Sequence, residues 1–349
     1  MPSAAEATRW VETLSPWPTD GFGTERMRAL LARLGNPERS FEAVHVVGTK
    51  GKSTAARRIA ATIDGAAYTS PHVSGWHERL DTDEAGFERA VQRVRRPAEE
   101  LGATQFEVVT AAAFADFAAR GVAAAAVEAG LGGRLDATNV IDARVVLLTN
   151  VALEHTEVLG ETREQIAAEK LAVAGPGAVV VLPDEEFAHH VARNEIRIGG
   201  AREAAEAFLG RPVELAEASL PGRLELREGE VRDGAHTPEA VDWLLDRLPR
   251  PHDYVVVASI LGDKDVDAIL ERLARAGRTL VATRSSNDRA LPAGEVADRA
   301  RTWFTVVESA DDPHEALRRA HILGDRVLVT GSLYLLADLS LLAETGRDE

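Results

Sequence analysis

From about residue 40 onward, short runs of aliphatic and β-branched residues alternate with longer segments whose apolar positions recur with a helical period. A short apolar run bounded by turn residues predicts a buried strand, and an amphipathic segment predicts a helix. The first pair is FEAVHVVG followed by KSTAARRIAATI, and FEVVTAAAFADFAARG predicts another helix with Phe114 and Phe117 on one face. Further buried strands are predicted at VAAAAVEAG, ARVVLLTN and GAVVVLP. This alternation predicts an α/β fold, in which helices cover a parallel sheet.

The pattern changes between Pro183 and Pro221, where the chain becomes polar and carries HHVARNEIRIGG. Beyond this stretch we identify five more strand and helix pairs, from GEVRDGA with TPEAVDWLLDRL to RVLVTGS with LYLLADLSLL. We therefore expect two domains, residues 1–218 and residues 219–349, the second being a smaller Rossmann-like α/β domain. Ligands of such sheets bind at the carboxyl ends of the strands, so residues that directly follow a strand are the first candidates for chemistry.

Composition excludes several classes of function. The chain has 349 residues, 45% hydrophobic content and no cysteine, which rules out disulfides, thiolate nucleophiles and Cys-ligated zinc. Its formal charge of -16 would repel a phosphate backbone, so nucleic acid is not an expected partner. No run approaches the roughly 18 apolar residues of a membrane span, and the start, MPSAAEATRWVETL, has no basic segment followed by an apolar one. We expect a cytoplasmic monomer without membrane contact.

Lysine is scarce in this chain. Of the 40 basic residues only four are lysines, so arginine is the usual surface cation. A lysine is then expected where a compact ammonium or a nucleophilic amine is needed, with chance as the alternative for any one of them. The four are Lys50, Lys52, Lys170 and Lys264, and the first two lie in one short motif.

That motif, VVGTKGKST, joins a predicted strand to a predicted helix and contains the residue types of a phosphate-binding loop. The standard loop, GxxxxGK[ST], needs a glycine at position 46, where this chain has valine. Gly48 and Gly51 still allow a sharp turn that points backbone amides towards a ligand at the amino terminus of the next helix. Lys52 would reach terminal phosphates, and the hydroxyl of Ser53 or Thr54 would join a magnesium shell. The alternative is an ordinary glycine turn before a helix, which the position between strand and helix disfavours.

Polar residues also follow two later predicted strands. Glu128 ends VAAAAVE and precedes a second glycine turn, AGLGGRLDATN, a position suited to holding a divalent cation. His155 lies just past ARVVLLTN, and Lys170 lies on the helix after it. Each has an ordinary alternative: a solvated glutamate, a structural histidine and a surface lysine. We expect the phosphate loop, the glutamate and the histidine to converge on one edge of one sheet.

These segments resemble the Mur ligase superfamily, most closely its folylpolyglutamate synthase and dihydrofolate synthase branch. GLGGRLDATN together with EHTEVLGETREQIAAEK is highly specific to this branch, and no small-molecule kinase, which a bare GKST would suggest, explains it. The other matching stretches occur in family order over nearly the whole chain: RMRALLARLGNPERSFEAVHVVGTKGKST, TSPHVSGWHERL, QFEVVTAAAFADFA, PGRLEL, DGAHTP, LGDKD and VTGSLYLLADL.

The resemblance implies an amino-terminal ATP-binding domain with a parallel sheet, residues 1–218, and a carboxyl-terminal glutamate ligase domain, residues 219–349. It implies nucleotide contacts at Gly48, Thr49, Gly51, Lys52, Ser53 and Thr54, and further nucleotide or domain-closing contacts at Arg223, Asp233 and His236. It implies two magnesium ions, one held by Thr54, Ser70 and Glu128, the other by Glu128, His155 and a carbamylated Lys170. A pterin pocket is implied at Thr104, Phe106, Asp136 and Ala137, and Ser332 would lie near the incoming glutamate.

The implied chemistry is amide ligation in two steps. ATP phosphorylates a carboxylate of a folate or pteroate, and the amino group of L-glutamate attacks the acyl phosphate. The catalytic residues would be Lys52, Glu128, His155 and Lys170. The first step needs stabilisation of a loose, multiply anionic phosphoryl group, which Lys52 and magnesium would supply.

The sequence departs from this branch in three places. GTKGKST replaces the more usual GTNGKGST, which leaves Lys50 without an assigned role, and Thr237 stands where asparagine is usual. The region between Pro183 and Pro221 is several tens of residues shorter than in typical members, so part of the later strand region is expected to be missing. The shortening keeps two alternatives open: a Mur-type ligase for another carboxylate, and a non-catalytic nucleotide- or folate-binding relative.

Overall fold

Two six-stranded sheets, one in each half of the chain, organise the computed structural model, which describes residues 4–19, 21–73, 75–218 and 220–340. The chain divides into two compact units, Met1–Ala218 and Ser219–Glu349. In the described residues no helix is both long enough and apolar enough to cross a membrane.

The first unit contains a fully parallel sheet with the strand order β2-β3-β1-β4-β5-β6. Its strands are β1 Glu42–Val47, β2 Ala66–Tyr68, β3 Ala124–Glu128, β4 Ala143–Leu148, β5 Val179–Leu182 and β6 Glu195–Ile198. The central strands are buried on both faces, as near-continuous aliphatic runs require. The strands predicted from FEAVHVVG, VAAAAVEAG, ARVVLLTN and GAVVVLP are confirmed as β1, β3, β4 and β5.

Helices cover both faces of this sheet. They are α1 Ala4–Thr13, α2 Glu25–Arg33, α3 Lys52–Thr62, α4 Glu84–Leu101, α5 Gln105–Arg120, α6 Thr156–Leu159, α7 Arg163–Leu171 and α8 Ala201–Leu209, with 3-10 turns at Pro37–Arg39, Trp76–Leu80 and Ala188–Val191. Phe114 and Phe117 of α5 are both fully buried in one core cluster, as predicted, and Phe41 packs against both rings. A second cluster lies between the sheet and helices α3 and α8.

The polar stretch after Pro183 is more ordered than its sequence suggested. It contains the edge strand β6, whose residues are half-buried or exposed, and the helix α8, whose apolar side packs against the sheet. Neither was predicted, because an edge strand with the sequence EIRI shows little of the apolar signal that marks a central strand. The strand β2 was also not predicted, because its sequence is only AAY.

The second unit contains a mixed sheet with the strand order β11-β10-β9-β12-β8-β7. Only β7 runs antiparallel, in a hairpin with β8. The strands are β7 Glu225–Arg227, β8 Glu230–Arg232, β9 Val255–Ala258, β10 Thr279–Ala282, β11 Val306–Ser309 and β12 Val327–Thr330. The helices are α9 Pro238–Arg247, α10 Val266–Leu273, α11 Ala293–Ala300, α12 Pro313–Leu323 and α13 Leu333–Ser340. All five predicted strand and helix pairs are confirmed.

Candidate active site

The strand order of the first sheet brings the candidate residues together. Strand β1 lies between β3 and β4, so the segments that follow these three strands meet at one edge, at the point where the chain direction around the sheet reverses. This order agrees with the predicted convergence of the loop and Glu128, although β2 intervenes along the chain between β1 and β3, and the place of His155 at this edge stays a prediction.

The loop between β1 and α3 requires glycine at two positions. Gly48 has a φ of 140°, and a Cβ atom there would lie 2.0 Å from Oγ1 of Thr149. Gly51 has a φ of 80° and directly precedes α3, which begins at Lys52. Both conformations are ones that side chains rarely adopt. The glycines therefore fix a short turn that ends at a helix amino terminus, which favours anion binding.

The end of β4 holds this loop in place. The side chain of Asn150 accepts a hydrogen bond of 3.0 Å from the main-chain nitrogen of Lys50 and donates one of 2.8 Å to its carbonyl oxygen. Oγ1 of Thr149 donates to the same carbonyl at 2.8 Å, and the main-chain nitrogen of Thr49 donates to the carbonyl of Asn150 at 3.0 Å. Sequence reasoning missed Asn150, although its place at the end of the predicted strand ARVVLLTN was a usable signal. The side chain of Lys50 is exposed, and its main chain carries these contacts.

Glu128 lies buried at the end of β3 and contacts two neighbouring segments. Its Oε1 lies 3.1 Å from Oγ of Ser53, and its Oε2 accepts a hydrogen bond of 2.9 Å from the main-chain nitrogen of Ser70. Oγ of Ser53 also lies 3.3 Å from the carbonyl oxygen of Ser70. The carboxylate, the hydroxyl and the segment after β2 thus form one oxygen-rich cluster beside the loop.

The two hydroxyl residues after Lys52 differ in position. Ser53 points to Glu128, whereas the side chain of Thr54 is exposed on the first turn of α3. Nζ of Lys52 donates a hydrogen bond of 3.2 Å to the carbonyl oxygen of Thr49 and so lies over the loop. The structure brings Ser53, rather than Thr54, to the carboxylate.

Lys170 reaches the same loop from α7. Its side chain is 2% exposed, and Nζ donates a hydrogen bond of 2.8 Å to the carbonyl oxygen of Gly48. Nζ also lies 3.6 Å from Oε1 of Glu154. Burial and the nearby ammonium of Lys52 lower the pKa of Lys170 to about 8, with Glu154 opposing the shift. A buried amine at the phosphate loop is not the surface lysine of the ordinary alternative.

His155 stands at the start of the short helix α6. It adopts the left-handed conformation, with a φ of 49°, and its side chain is exposed. A non-glycine residue in this region is uncommon and often marks a functional position. Its neighbour Glu154 is the residue whose carboxylate approaches Lys170, and sequence reasoning did not single it out.

Four residues were expected to line a pterin pocket. Phe106 packs against Gly130, where a Cβ atom would lie 2.4 Å from the ring, and against the ring of Tyr68 at a centroid distance of 6.2 Å. Thr104 instead uses its hydroxyl in a capping box with Glu107 at the start of α5. Asp136 and Ala137 are both buried in the loop after Gly130.

Asp136 organises that loop. Its Oδ2 accepts a hydrogen bond of 2.8 Å from the main-chain nitrogen of Leu131, and its Oδ1 accepts one of 2.9 Å from that of Thr138 and another from the Thr138 hydroxyl. Burial raises the pKa of Asp136, while these hydrogen bonds oppose the rise. Nε2 of the fully buried His45 lies 2.8 Å from the Thr138 hydroxyl, so a hydrogen-bonded chain links strand β1 to this loop.

In the second unit, Asp233 follows β8 and closes a tight turn. Its Oδ2 accepts a hydrogen bond of 2.7 Å from the main-chain nitrogen of Leu224, and its Oδ1 accepts one of 2.8 Å from that of Ala235. Burial raises the pKa of Asp233, and Arg223 opposes the rise. Nδ1 of His236 lies 2.7 Å from the carbonyl oxygen of Gly234.

Two further residues of this unit act as helix caps. The hydroxyl of Thr237 accepts a hydrogen bond of 3.3 Å from the main-chain nitrogen of Ala240, so threonine serves as the N-cap of α9 where asparagine would serve as well. Ser332 is buried after β12, and its Oγ accepts a hydrogen bond of 3.1 Å from the main-chain nitrogen of Tyr334 in the first turn of α13.

A cavity of about 710 Å³ lies elsewhere in the first unit. Residues at the amino ends of β1 and β4 line it, among them Glu42 and Arg144, which form an ion pair at 3.1 Å. Ligands of such sheets bind at the opposite, carboxyl edge, so we assign the chemistry to the loop, Glu128 and Lys170.

Comparisons with known proteins show the family of the chain. Residues 222–333 match the family described as Mur ligase, glutamate ligase domain. The chain is 30% identical to a Mycobacterium tuberculosis protein named dihydrofolate synthase/folylpolyglutamate synthase, in an alignment that covers 87% of this chain and 83% of that protein. The alignment runs over 413 positions, more than this chain contains, so the relative has segments that this chain lacks.

Solved structures are similar over nearly the whole chain. A crystal structure of Mycobacterium tuberculosis folylpolyglutamate synthase, complexed with ADP and AMPPCP, has a TM-score of 0.84 and 26% identity, with 99% of this chain and 100% of that chain covered. A Yersinia pestis bifunctional folylpolyglutamate synthase/dihydrofolate synthase, complexed with AMPPNP and Mn ion, has a TM-score of 0.80 and 26% identity, with 99% of this chain and 100% of that chain covered.

Proposed function

The chain belongs to the dihydrofolate synthase and folylpolyglutamate synthase family, and we propose that, as a member, it ligates L-glutamate to a carboxylate of a folate or of dihydropteroate with ATP as the phosphoryl donor. The observation that carries this proposal is the meeting of the GTKGKST loop, Glu128 and Lys170 at one sheet edge. The resemblance to nucleotide-bound relatives over the whole chain supports it.

The first step is phosphoryl transfer. An oxygen of the substrate carboxylate attacks the γ-phosphorus of ATP, the bond to the bridging oxygen breaks, and ADP leaves with an acyl phosphate formed. The amides of residues 48–52 and the ammonium of Lys52 would hold the phosphates, because the glycine turn ends at the amino terminus of α3. This arrangement stabilises the charge on the transferred group.

The oxygen-rich cluster suits a divalent cation of the magnesium class. The Glu128 carboxylate is buried, lies beside the Ser53 hydroxyl and accepts from the main-chain amide of Ser70, and the guanidinium of Arg79 interacts with it electrostatically. Hard oxygen donors of this kind are those that Mg²⁺ prefers. Magnesium, when bound, would neutralise charge that develops on the phosphoryl oxygens. We assign Ser53, Ser70 and Glu128 to one ion. Thr54, which the family resemblance suggested, is the alternative to Ser53 as the hydroxyl ligand.

A second magnesium ion would be held by Glu128, His155 and a carbamate on Lys170. The buried position of Lys170 and its lowered pKa support this assignment, since only the neutral amine can react with carbon dioxide. His155 is exposed at the start of α6, in the segment that follows β4.

The second step is attack by the amine of glutamate on the acyl carbon, with loss of phosphate and of one proton as the amide forms. Residues 219–349 would act as the glutamate ligase domain, with nucleotide or closing contacts from Arg223, Asp233 and His236 and a glutamate contact near Ser332. The pterin would lie against Phe106, Asp136 and Ala137. Thr104 would help to shape the pterin pocket by capping α5, since its hydroxyl is used in that cap.

The second candidate function is ligation of a different carboxylate by the same chemistry. The short region between Pro183 and Pro221 favours it, because the described residues of that region form only one short 3-10 helix, β6 and α8 before the second unit begins. In a non-catalytic relative, by contrast, substrates would bind without turnover.

The deciding experiment measures ADP release by purified protein with Mg²⁺ and ATP. We expect release that requires both L-glutamate and either dihydropteroate or a reduced folate, with mass spectrometry showing one added glutamate. A Lys52→Ala variant controls for contaminating ATPases, and Lys264→Ala, which removes a half-buried lysine of the second unit, is the matched lysine control. If no ADP is released with dihydropteroate or with a reduced folate, the folate assignment is overturned. Binding of ATP without any release of ADP would indicate the non-catalytic relative. Gel filtration coupled to light scattering tests our expectation of a monomer.

A further inference from the structure

Two consecutive histidines and a glutamate form a cluster that the proposed reaction does not use. Glu164 lies in the first turn of α7, and His189 and His190 lie on the 3-10 helix Ala188–Val191. These two elements pack against each other within the first unit. The histidines begin the polar segment HHVARNEIRIGG, whose strand β6 completes the sheet, but the proposed reaction gives neither imidazole a role.

Both imidazoles point at the same carboxylate oxygen. Nε2 of His189 lies 2.6 Å from Oε1 of Glu164, and Nε2 of His190 lies 2.7 Å from the same atom. The two rings are adjacent, with centroids 4.2 Å apart and an angle of 39° between their planes. One ligand atom from each residue lies within 4.8 Å of the other two. The three donors therefore surround one small volume.

A simple ion pair does not satisfy all three groups. Nε2 of His190 is buried and has no hydrogen-bond partner of acceptable geometry, in spite of its short distance to Oε1. A buried polar atom without a partner calls for an explanation, and an ion between the donors is one. Two imidazole nitrogens and one carboxylate oxygen that meet at one point offer a set of donors for a shared cation.

We propose that Glu164, His189 and His190 bind one divalent transition-metal ion of the zinc class. Two imidazole nitrogens with one carboxylate oxygen form a donor set that suits zinc better than magnesium, which favours sites rich in oxygen donors. Tetrahedral donors at roughly 2.0–2.1 Å from zinc lie about 3.3 Å apart, so the nitrogen to oxygen distances need only a small expansion. Three protein ligands leave a fourth position for water, which the exposure of His189 and Glu164 permits.

The ion would join the 3-10 helix to the helix that carries Lys170. Arg163 already links α7 to the residues just before the 3-10 helix, since it pairs with Glu186 at 2.8 Å and lies over the ring of Phe187 at 5.3 Å. A bound ion adds a second link at the amino terminus of α7. The expected role is therefore to hold α7, and with it the buried amine of Lys170, in place.

The test is calorimetric titration of chelator-treated full-length protein with ZnCl₂ in excess Mg²⁺. We expect the His189→Ala/His190→Ala protein to bind about one equivalent fewer than the wild type, and each single variant, including Glu164→Gln, to bind that equivalent at least about tenfold more weakly. Co²⁺ should give the visible absorption of a tetrahedral nitrogen and oxygen site, and the double variant should lack it.

Two controls make the result specific. His321→Ala removes a histidine that also faces a glutamate, with Nε2 3.4 Å from Oε2 of Glu230, but that has no second histidine beside it, so zinc binding should be unchanged. A zinc ion that is lost in His155→Ala belongs to the proposed catalytic edge and not to the histidine cluster. Circular dichroism of each variant confirms that it is folded. The proposal would be overturned if the folded double variant bound as many zinc ions as the wild type. It would also be overturned if the folded Glu164→Gln protein bound zinc with wild-type affinity, whatever the ligase assay shows.

Discussion

Nζ of Lys170 donates a hydrogen bond of 2.8 Å to the carbonyl oxygen of Gly48, which ties helix α7 to the turn of the phosphate loop. The two residues are far apart in the sequence, and the contact exists only because β1 and β4 are neighbours in the sheet. Burial lowers the pKa of this lysine to about 8, so the neutral amine is present in quantity near physiological pH.

We expect Lys170→Met to lower ligase turnover by at least about a hundredfold, because the loop loses its tether and the site loses a group that can carry a carbamate. Carbamate on the wild-type lysine should increase as the pH rises through about 8, since only the neutral amine reacts. Carbon NMR with labelled bicarbonate, recorded below and above that pH, measures it. Lys264→Met is the control. A carbamate signal that is absent at every pH would remove the modification from the mechanism.

Replacement of Glu128 by glutamine should reduce turnover by at least about a hundredfold while the fold is kept, because the amide retains the size of the side chain but not its charge. The contacts to Ser53 and to the main chain of Ser70 can persist in part. Steady-state ADP release and circular dichroism measure the two effects. A rate equal to that of the wild type would exclude Glu128 from the metal site.

Ser53→Ala and Thr54→Ala form a matched pair of hydroxyl deletions. Ser53 faces Glu128 at 3.1 Å and Thr54 is exposed, so we expect the serine variant to raise the Mg²⁺ concentration for half-maximal activity by about tenfold or more and the threonine variant to have a smaller effect. Activity measured against Mg²⁺ concentration separates them. The reverse order would favour the residue suggested by family resemblance.

The buried His45 should make the first unit sensitive to acid. Burial lowers its pKa from 6.5 to about 3, so between these values the unfolded state binds a proton that the folded state does not. The free energy of unfolding should therefore fall as the pH drops below 6.5, by on the order of 2 kcal/mol at pH 5, and the fall should end below about 3. Urea unfolding of the wild type and of His45→Gln across this range tests it; parallel pH curves would contradict the assignment.

Thr237→Ala should destabilise the second unit by about 1 kcal/mol, because α9 loses the hydroxyl that accepts from its first turn. Thr237→Asn should keep the cap and the stability. Thermal unfolding measures both, and ATP affinity measured alongside shows whether the residue also contacts nucleotide. Equal melting temperatures for the alanine and asparagine variants would show that the cap contributes little.

The central strands could be predicted because they are buried on both faces and must be continuously apolar, and the loop could be predicted because a lysine after a glycine turn between strand and helix is a local pattern. The edge strand β6 and the three-residue β2 could not, since their pairing rests on neighbours rather than on their own sequences.

The sequence by itself determined the α/β class, the turn at Gly48 and Gly51, and the residue types at the strand ends. Only the tertiary structure decided that Ser53 rather than Thr54 meets Glu128, that Asn150 anchors the loop, and that Lys170 is buried against it. The physical reason is that a turn or a strand depends on adjacent residues, whereas the distance between two side chains from different elements depends on strand order and helix packing.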